Sequence, residues 1–202
     1  MAVDLKPPPG LRVGGICESG GHSIVLIAPD EPAFWPIFIA APEYADGTAD
    51  PMDRWSRRVI GASANAIGVE ALFPSDPPYP PFVAWALLSG RFWSSPTGML
   101  VDRRMGLFVS FRGALRVPGP PAKLNAHTSP CTDCDAPCLS ACPVDAFTDG
   151  RYDTDACHRW LDTPAGGNCL AAGCLARRAC PISKGCGRLP EQSAWHMRQF
   201  HP

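Results

Sequence analysis

One short stretch, Cys131-Thr-Asp-Cys134-Asp-Ala-Pro-Cys138-Leu-Ser-Ala-Cys142-Pro143, decides how the last third of this chain folds. Its spacing is C-x2-C-x3-C-x3-C-P, which is the bacterial ferredoxin run C-x2-C-x2-C-x3-C-P with one residue inserted between the second and third cysteines. Three thiolates of such a run bind one cubane, and the fourth binds the other cluster in two-cluster ferredoxins. The stretch therefore predicts an iron–sulfur module that holds two [4Fe–4S] clusters.

A second, more loosely spaced group of cysteines follows this stretch. Cys180 precedes a proline, so the group contains another Cys-Pro, as the exchange of one ligand between two clusters requires. The loose spacing leaves the choice of ligands among the last four members open. The members are Cys157, Cys169, Cys174, Cys180 and Cys186.

A zinc site is the alternative for the cysteines. Cys131 and Cys134 alone, two residues apart, would suit a zinc ribbon. Four cysteines within twelve residues that end in Cys-Pro favour iron–sulfur over zinc. We interpret His158, which follows Cys157, as a packing or surface residue before we interpret it as a group that tunes a cluster.

The distribution of the cysteines argues against a disulfide scaffold. Nine of the ten lie after residue 130, and only Cys17 lies before it. The N-terminus lacks the pattern of an export signal, and no stretch approaches the roughly 18 apolar residues of a membrane helix. We therefore expect a cytoplasmic protein with metal-bound thiolates and no membrane partner. The formal net charge of −1, evenly spread, gives no indication of a nucleic-acid partner.

Upstream of the cysteines, the pattern of apolar residues predicts a domain of sheet and helix. Residues 23–28 and 35–40 form two apolar runs bounded by turn residues, which are typical of strands. Apolar residues three and four apart predict an amphipathic helix over residues 50–68. A second helix is predicted over residues 80–89, with Gly90 after its end.

A hairpin and a domain boundary are predicted next. The two strands of the hairpin are predicted over residues 98–101 and 107–112. Residues 117–122, rich in proline and glycine, mark the predicted boundary. The fold class is therefore α+β, with an α+β domain over residues 1–120 and a ferredoxin-like iron–sulfur domain over residues 121–202.

The order of the cysteines resembles the C-terminal module of epoxyqueuosine reductases, which are tRNA-modifying cobalamin and iron–sulfur enzymes related to reductive dehalogenases. In that family a lone cysteine follows the first Cys-Pro by some fifteen residues, and Cys157 follows Cys142 by fifteen. Cys186 is left as a spare or alternative ligand. The resemblance implies one cluster bound by Cys131, Cys134, Cys138 and Cys180, and another bound by Cys142, Cys157, Cys169 and Cys174.

The resemblance continues weakly upstream. The family's stretch D-[ST]-A-P-x-x-E-R is similar to Asp76-Pro-Pro-Tyr79, and its G-L-G-W-x-G-K-N-[TS]-L is similar to residues 90–100. The resemblance implies a nitroreductase-like upstream domain, with Asp76 as a catalytic proton donor and with Trp93 and Thr97 in contact with a cobalamin cofactor. Taken without the resemblance, Asp76 is typical of a turn before a proline.

Three functions are compatible with these patterns. The first is electron transfer, in which two clusters pass electrons to a redox partner protein or a small-molecule acceptor. The second is a corrinoid- or flavin-dependent reductase, an oxidoreductase in which the clusters are an internal relay. The third is a noncatalytic binding or redox-sensing module. A tRNA partner follows from the resemblance alone, because the charge is balanced.

Overall fold

The computed structural model describes residues 6–121, 127–148 and 150–202. The chain divides into two compact units. The first combines Met1–Phe92 with Ser110–His127, and the second combines Trp93–Val109 with Thr128–Pro202. Helices and sheets are both present, which confirms the α+β class. The boundary expected at residue 120 differs from this division, because Trp93–Val109 joins the cysteine-rich unit.

The described residues form short strands and mostly short helices. The strands are β1 (Leu11–Ser19), β2 (His22–Pro29), β3 (Glu70–Leu72), β4 (Phe92–Ser94), β5 (Leu100–Asp102), β6 (Gly113–Pro118), β7 (Phe147–Thr148) and β8 (Arg151–Tyr152). The helices are α1 (Phe34–Ile39), α2 (Pro42–Ala45), α3 (Pro51–Ala66), α4 (Phe82–Leu88), α5 (Pro137–Ser140), α6 (Thr154–Leu161), α7 (Gly167–Ala172), α8 (Leu175–Ala179) and α9 (Pro190–Phe200).

The first unit is built on an antiparallel sheet with the strand order β1-β2-β6-β3. The middle strand β2 is buried along nearly its whole length, because Leu26 and its neighbours have partner strands on both sides. Helices α3 and α4 pack on this sheet. The helices predicted over residues 50–68 and 80–89 and the strand predicted over residues 23–28 are therefore confirmed, with ends shifted by a few residues.

The strand predicted over residues 35–40 is wrong, since this segment is helix α1. Phe34 and Phe38 lie four residues apart, so a helix places both on one face, where their rings stack 6.0 Å apart. Trp55 of α3 packs its ring against both at 5.5 and 5.9 Å. Pro36 falls in the first turn, where a helix needs no N–H donor. Burial of the aromatic face therefore outweighs the strand-like composition.

The predicted hairpin is wrong in its second strand. β5 pairs with β4 instead, around a turn in which the Ser95 N–H donates to the Met99 carbonyl at 2.9 Å. Residues 107–112 form no strand, and the Leu107 N–H donates to the Ser183 hydroxyl at 2.9 Å. The boundary run predicted over 117–122 begins inside β6, and Ala122 lies outside the described residues.

In the second unit, short helices joined by turns present the cysteines. Helix α9 closes this unit by packing on α7, and it buries the side chains of Gln192 and Ser193. None of the helices in the described part of the chain has both the length and the apolar character that crossing a membrane demands.

A buried carboxylate gives the first unit a testable acid sensitivity. Glu43 of α2 receives two hydrogen bonds from the guanidinium of Arg58 on α3. The hydrogen bond from Arg58 lowers the pKa of Glu43, although burial acts in the opposite direction. A carboxyl group with a lowered pKa stabilises the fold above its unfolded pKa of about 4.3, and this contribution is lost as the pH falls further.

We therefore expect Glu43→Gln to destabilise the first unit by up to about 1 kcal/mol at pH 7, since Arg58 is half exposed. The difference from the wild type should shrink as the pH is lowered from 7 to below about 4.3. Denaturant titrations followed by tryptophan fluorescence at both pH values measure it. A difference that persists unchanged at the lower pH would show that the ion pair is not its source.

Candidate metal centre

Four cysteines of the second unit line one cavity of about 390 Å³. Burial raises the pKa values of the Cys131 and Cys138 thiols, and the charges of neighbouring thiolates raise them further. Those neighbours include Cys180, which comes from the far end of α8, so the sulfurs lie close enough to influence one another. We call this set the first quartet: Cys131, Cys134, Cys138 and Cys180.

The cavity of the first quartet is largely apolar. Val101 and Leu107 form one buried cluster with Cys138 and Cys180. The lining also contains Ile182 and two exposed aspartates, Asp133 and Asp135. Cys138 and Cys180 are buried in these surroundings, whereas Cys131 and Cys134 are half-buried.

The loop between β5 and Leu107 fixes the position of Cys180. The Asp102 carboxylate accepts the N–H of Arg104 at 2.9 Å, which holds the loop in a tight turn. Gly106 in this turn has a φ of 57°, and a Cβ added there would lie 3.0 Å from the Cys180 sulfur. Ser183 is hydrogen-bonded to the same loop through Leu107. The loop and the Cys180–Ser183 segment are therefore packed backbone to backbone.

Four other cysteines of the second unit form a second group. Burial raises the pKa of the Cys157 thiol, the Tyr152 hydroxyl lowers it, and the charges on Cys174, Cys142 and Cys169 raise it. The same neighbours, Cys174 and Cys142, act on Cys169. We call this set the second quartet: Cys142, Cys157, Cys169 and Cys174.

Backbone and side-chain donors point at the sulfurs of the second quartet. The Ala146 N–H donates to the Cys142 sulfur at 3.4 Å. The Leu175 N–H at the start of α8 lowers the pKa of the Cys169 thiol, and the Tyr152 hydroxyl lowers the pKa of the Cys157 thiol. Burial is the main cause that raises the pKa of Tyr152, so its hydroxyl keeps its proton. Sulfur atoms that receive N–H and O–H donors are suited to carry negative charge.

Helix α6, which presents Cys157, begins at a capping aspartate. The Asp153 carboxylate accepts the Ala156 N–H at 2.8 Å. We expect Asp153→Ala to lower the free energy of unfolding of the second unit by about 1 kcal/mol, because one N–H loses its partner. Asp153→Asn keeps an acceptor, so it should lower the free energy of unfolding by only a few tenths of a kcal/mol. Parallel denaturant titrations of the two variants check this, and equal losses would contradict a capping role.

The histidine beside Cys157 has structural partners. The His158 ring stacks on Phe200 with centroids 4.6 Å apart, and its Nδ1 lies 2.6 Å from Nδ1 of His201. His201 in turn lies 3.0 Å from the Asp162 carboxylate. These contacts attach the end of α9 to α6, in agreement with the interpretation of His158 as a packing residue.

The two cysteines outside the quartets lie at different places. Cys17 is buried on β1 of the first unit, and burial raises the pKa of its thiol. Cys186 is buried after the 3-10 turn Ser183–Gly185 in the second unit. Its part as an alternative ligand stays a prediction.

The upstream residues singled out by the resemblance belong to different units. Asp76 belongs to the first unit and forms an ion pair with Arg57 at the surface. Trp93 and Thr97 belong to the second unit. Trp93 packs against the apolar cluster around Cys138 and Cys180, and the Thr97 hydroxyl lies 2.9 Å from that of Ser95.

Sequence reasoning missed several residues around the quartets. Ser95 and Pro96 line the cavity of the first quartet, and Arg177 donates to the carbonyl of Leu107, which lines the same cavity. The signal for the first two was their place between Trp93 and Thr97. For Arg177 no local pattern marks it out, since its surroundings come from distant parts of the chain.

The described residues contain no group of three or more His, Cys, Asp or Glu side chains that would enclose a single metal ion. Each thiolate of a cubane binds a different iron corner, so its four ligands surround a larger space than the ligands of one ion. No family model, curated protein or solved structure matches this chain.

Proposed function

We propose that this chain is an iron–sulfur electron-transfer protein that binds two [4Fe–4S] clusters, one in each cysteine quartet. The first quartet would bind one cluster through Cys131, Cys134, Cys138 and Cys180. The second would bind the other through Cys142, Cys157, Cys169 and Cys174. All ten cysteines are free thiols, which suits a reducing compartment, and we place the protein in the cytoplasm.

The observation that carries this proposal is the crossing of two cysteines between the quartets. Cys142 belongs to the first run in sequence but has the later cysteines as its neighbours. Cys180 comes late in sequence but lines the cavity of the first run. Both crossing residues precede a proline, as in two-cluster ferredoxins, in which each run lends one thiolate to the other cluster.

The residues around the quartets support the same proposal. A bound [4Fe–4S] cluster supplies reversible one-electron chemistry. Val101 and Leu107 pack with the buried Cys138 and Cys180 of the first quartet. The Ala146 N–H donates to the Cys142 sulfur of the second. Hydrogen bonds to sulfur and shielding from solvent are the means by which a protein sets a cluster's potential.

The function is tested on protein purified anaerobically from cells supplied with cobalamin. We expect broad visible absorbance that dithionite bleaches and that a one-electron dye acceptor restores. Corrin or flavin bands in the same spectrum would instead favour the corrinoid- or flavin-dependent reductase. Absorbance that dithionite fails to bleach would contradict electron transfer and favour a structural or sensing module.

A further inference from the structure

Arg178 on α8 is bonded to both ends of helix α7. Its Nε donates to the Gly173 carbonyl at 3.0 Å, at the C-terminal end of α7. Its Nη2 donates to the side-chain oxygen of Asn168, in the first turn of α7. Gly173 directly precedes Cys174, and Asn168 directly precedes Cys169. One guanidinium is therefore bonded to the two residues that come just before two members of the second quartet.

The junction at Gly173 depends on its hydrogen bonds. Gly173 has a φ of 90° and a ψ of 167°, a region that only glycine adopts readily. Glycine has the freest backbone of all residues, so its own preference does not fix the direction in which the chain continues to Cys174. The Gly173 N–H donates to the Cys169 carbonyl at 2.8 Å. The bond from Arg178 holds the Gly173 carbonyl, so both peptide planes beside Gly173 are fixed.

The backbone of Arg178 is tied to the same segment. Arg178 lies one helical turn after Cys174, and its N–H donates to the Cys174 carbonyl at 3.1 Å. Its guanidinium returns to the Gly173 carbonyl, so Arg178 is bonded to the carbonyls of two successive residues. The Arg178 side chain is half-buried, and a hydrogen bond that is partly shielded from water is stronger than an exposed one. Helix α8 and the end of α7 are therefore held together around Cys174.

The neighbouring arginine on α8 is bonded elsewhere. The guanidinium of Arg177 donates to the carbonyl of Leu107, which lines the cavity of the first quartet. Successive residues of a helix point about 100° apart, so the two arginines leave α8 in different directions. Among the described residues, the hydrogen bonds to Asn168 and to the Gly173 carbonyl come from Arg178 and not from Arg177. Arg177 is therefore a matched control for Arg178, with the same side chain at the next position.

A cubane requires its four thiolates at four corners, so the relative position of the ligands decides whether it binds. A guanidinium has donors but no acceptor, so Arg178 can orient ligands but cannot bind iron itself. Residues that orient the ligands of a metal change its affinity roughly 10–100-fold when they are replaced. Resting on the proposed function, we infer that Arg178 is a positioning residue of the second cluster, which holds Cys169 and Cys174 at the spacing that the cluster requires.

The test measures the release of iron to bathophenanthroline from the full chain, purified anaerobically. Electron paramagnetic resonance of reduced samples follows each cluster, and the signal of the second cluster is the one that is missing in Cys142→Ala. In Arg178→Leu we expect that signal to decay about tenfold faster than in the wild type, with the decay of the other signal unchanged. Arg178→Lys should restore part of the difference, because an ammonium keeps a donor but lacks the fork that reaches both Asn168 and Gly173.

Two further variants complete the comparison. Arg177→Leu removes the same side chain from the next position and should leave the decay of the second cluster's signal unchanged. Asn168→Ala removes one of the two bonds to Arg178 at an exposed position, and it should accelerate the decay by a smaller factor than Arg178→Leu does. Asn168→Ala also serves as the test if Arg178→Leu fails to fold.

The outcomes separate this inference from the proposed function. Wild-type protein without iron would overturn the proposed function. Two clusters whose signals decay at wild-type rates in both Arg178→Leu and Asn168→Ala would overturn the inference alone. Equal acceleration of both signals in Arg178→Leu would overturn it as well, because a general loss of stability acts on both clusters. The same holds if Arg177→Leu accelerates the second signal as much as Arg178→Leu does.

Discussion

Replacing Cys180 with alanine is expected to remove the first cluster and to lower the iron content from about eight to about four atoms per chain. Cys180 lines the same cavity as Cys131 and Cys138, although it lies far from them in sequence. Without this thiolate one iron corner has no protein ligand. Iron and sulfide analysis on anaerobically purified protein, combined with the resonance signal of the reduced protein, measures the loss.

The reciprocal variant sharpens this prediction. Cys142→Ala should lose the second cluster and keep the first, despite its place within the first run. Cys17→Ala is the control, since Cys17 is buried in the other unit and should leave the iron content unchanged. If Cys142→Ala and Cys180→Ala abolished the same resonance signal, the crossing of ligands between the quartets would be wrong.

Gly106→Ala is expected to be the most damaging change outside the cysteines. A Cβ at this position would lie 2.6 Å from the Ser183 nitrogen and 3.0 Å from the Cys180 sulfur, on a residue whose φ is 57°. The backbone nitrogen cannot move aside as a flexible side chain could. We expect a loss of roughly 2–4 kcal/mol in the free energy of unfolding of the second unit, together with loss of the first cluster.

The control for this variant is Gly167→Ala at the start of α7. Gly167 has a φ of −54°, and a Cβ there would meet open space. Alanine favours the helix over glycine, so we expect no loss and a gain of up to about 1 kcal/mol. Denaturant titrations of both variants make the comparison. Equal stabilities would show that the loop around Gly106 does not hold Cys180.

The iron–sulfur prediction for the cysteine run depends on local information. The spacing of Cys131, Cys134 and Cys138 within one turn-rich stretch is enough to indicate a cubane. The placement of Cys180 in the first quartet was not predictable from the spacing of the late cysteines. A tertiary contact with the Gly106 loop brings Cys180 to that quartet. The two Cys-Pro pairs indicated an exchange of ligands between clusters, and the family resemblance implied the full grouping, in which Cys131, Cys138 and Cys180 line one cavity.

The errors in the fold have similar causes. Helix α1 was misjudged because Ile37 and Ile39 favour a strand locally, whereas burial of Phe34 and Phe38 on one face favours a helix. Strand β1 went unpredicted since Gly14-Gly15 interrupts its alternation, where the register shifts between Val13 and Gly15. Segment 107–112 forms no strand, and its two ends bond to distant partners, the Leu107 N–H to the Ser183 hydroxyl and the Arg112 N–H to the Ile27 carbonyl.

The most direct test of the central claim is the content of iron, acid-labile sulfide and zinc in anaerobically purified wild-type protein. Two cubanes predict about eight irons and eight sulfides per chain, with zinc near zero. About four of each would mean that only one quartet binds a cluster. Zinc without sulfide would contradict the iron–sulfur assignment altogether.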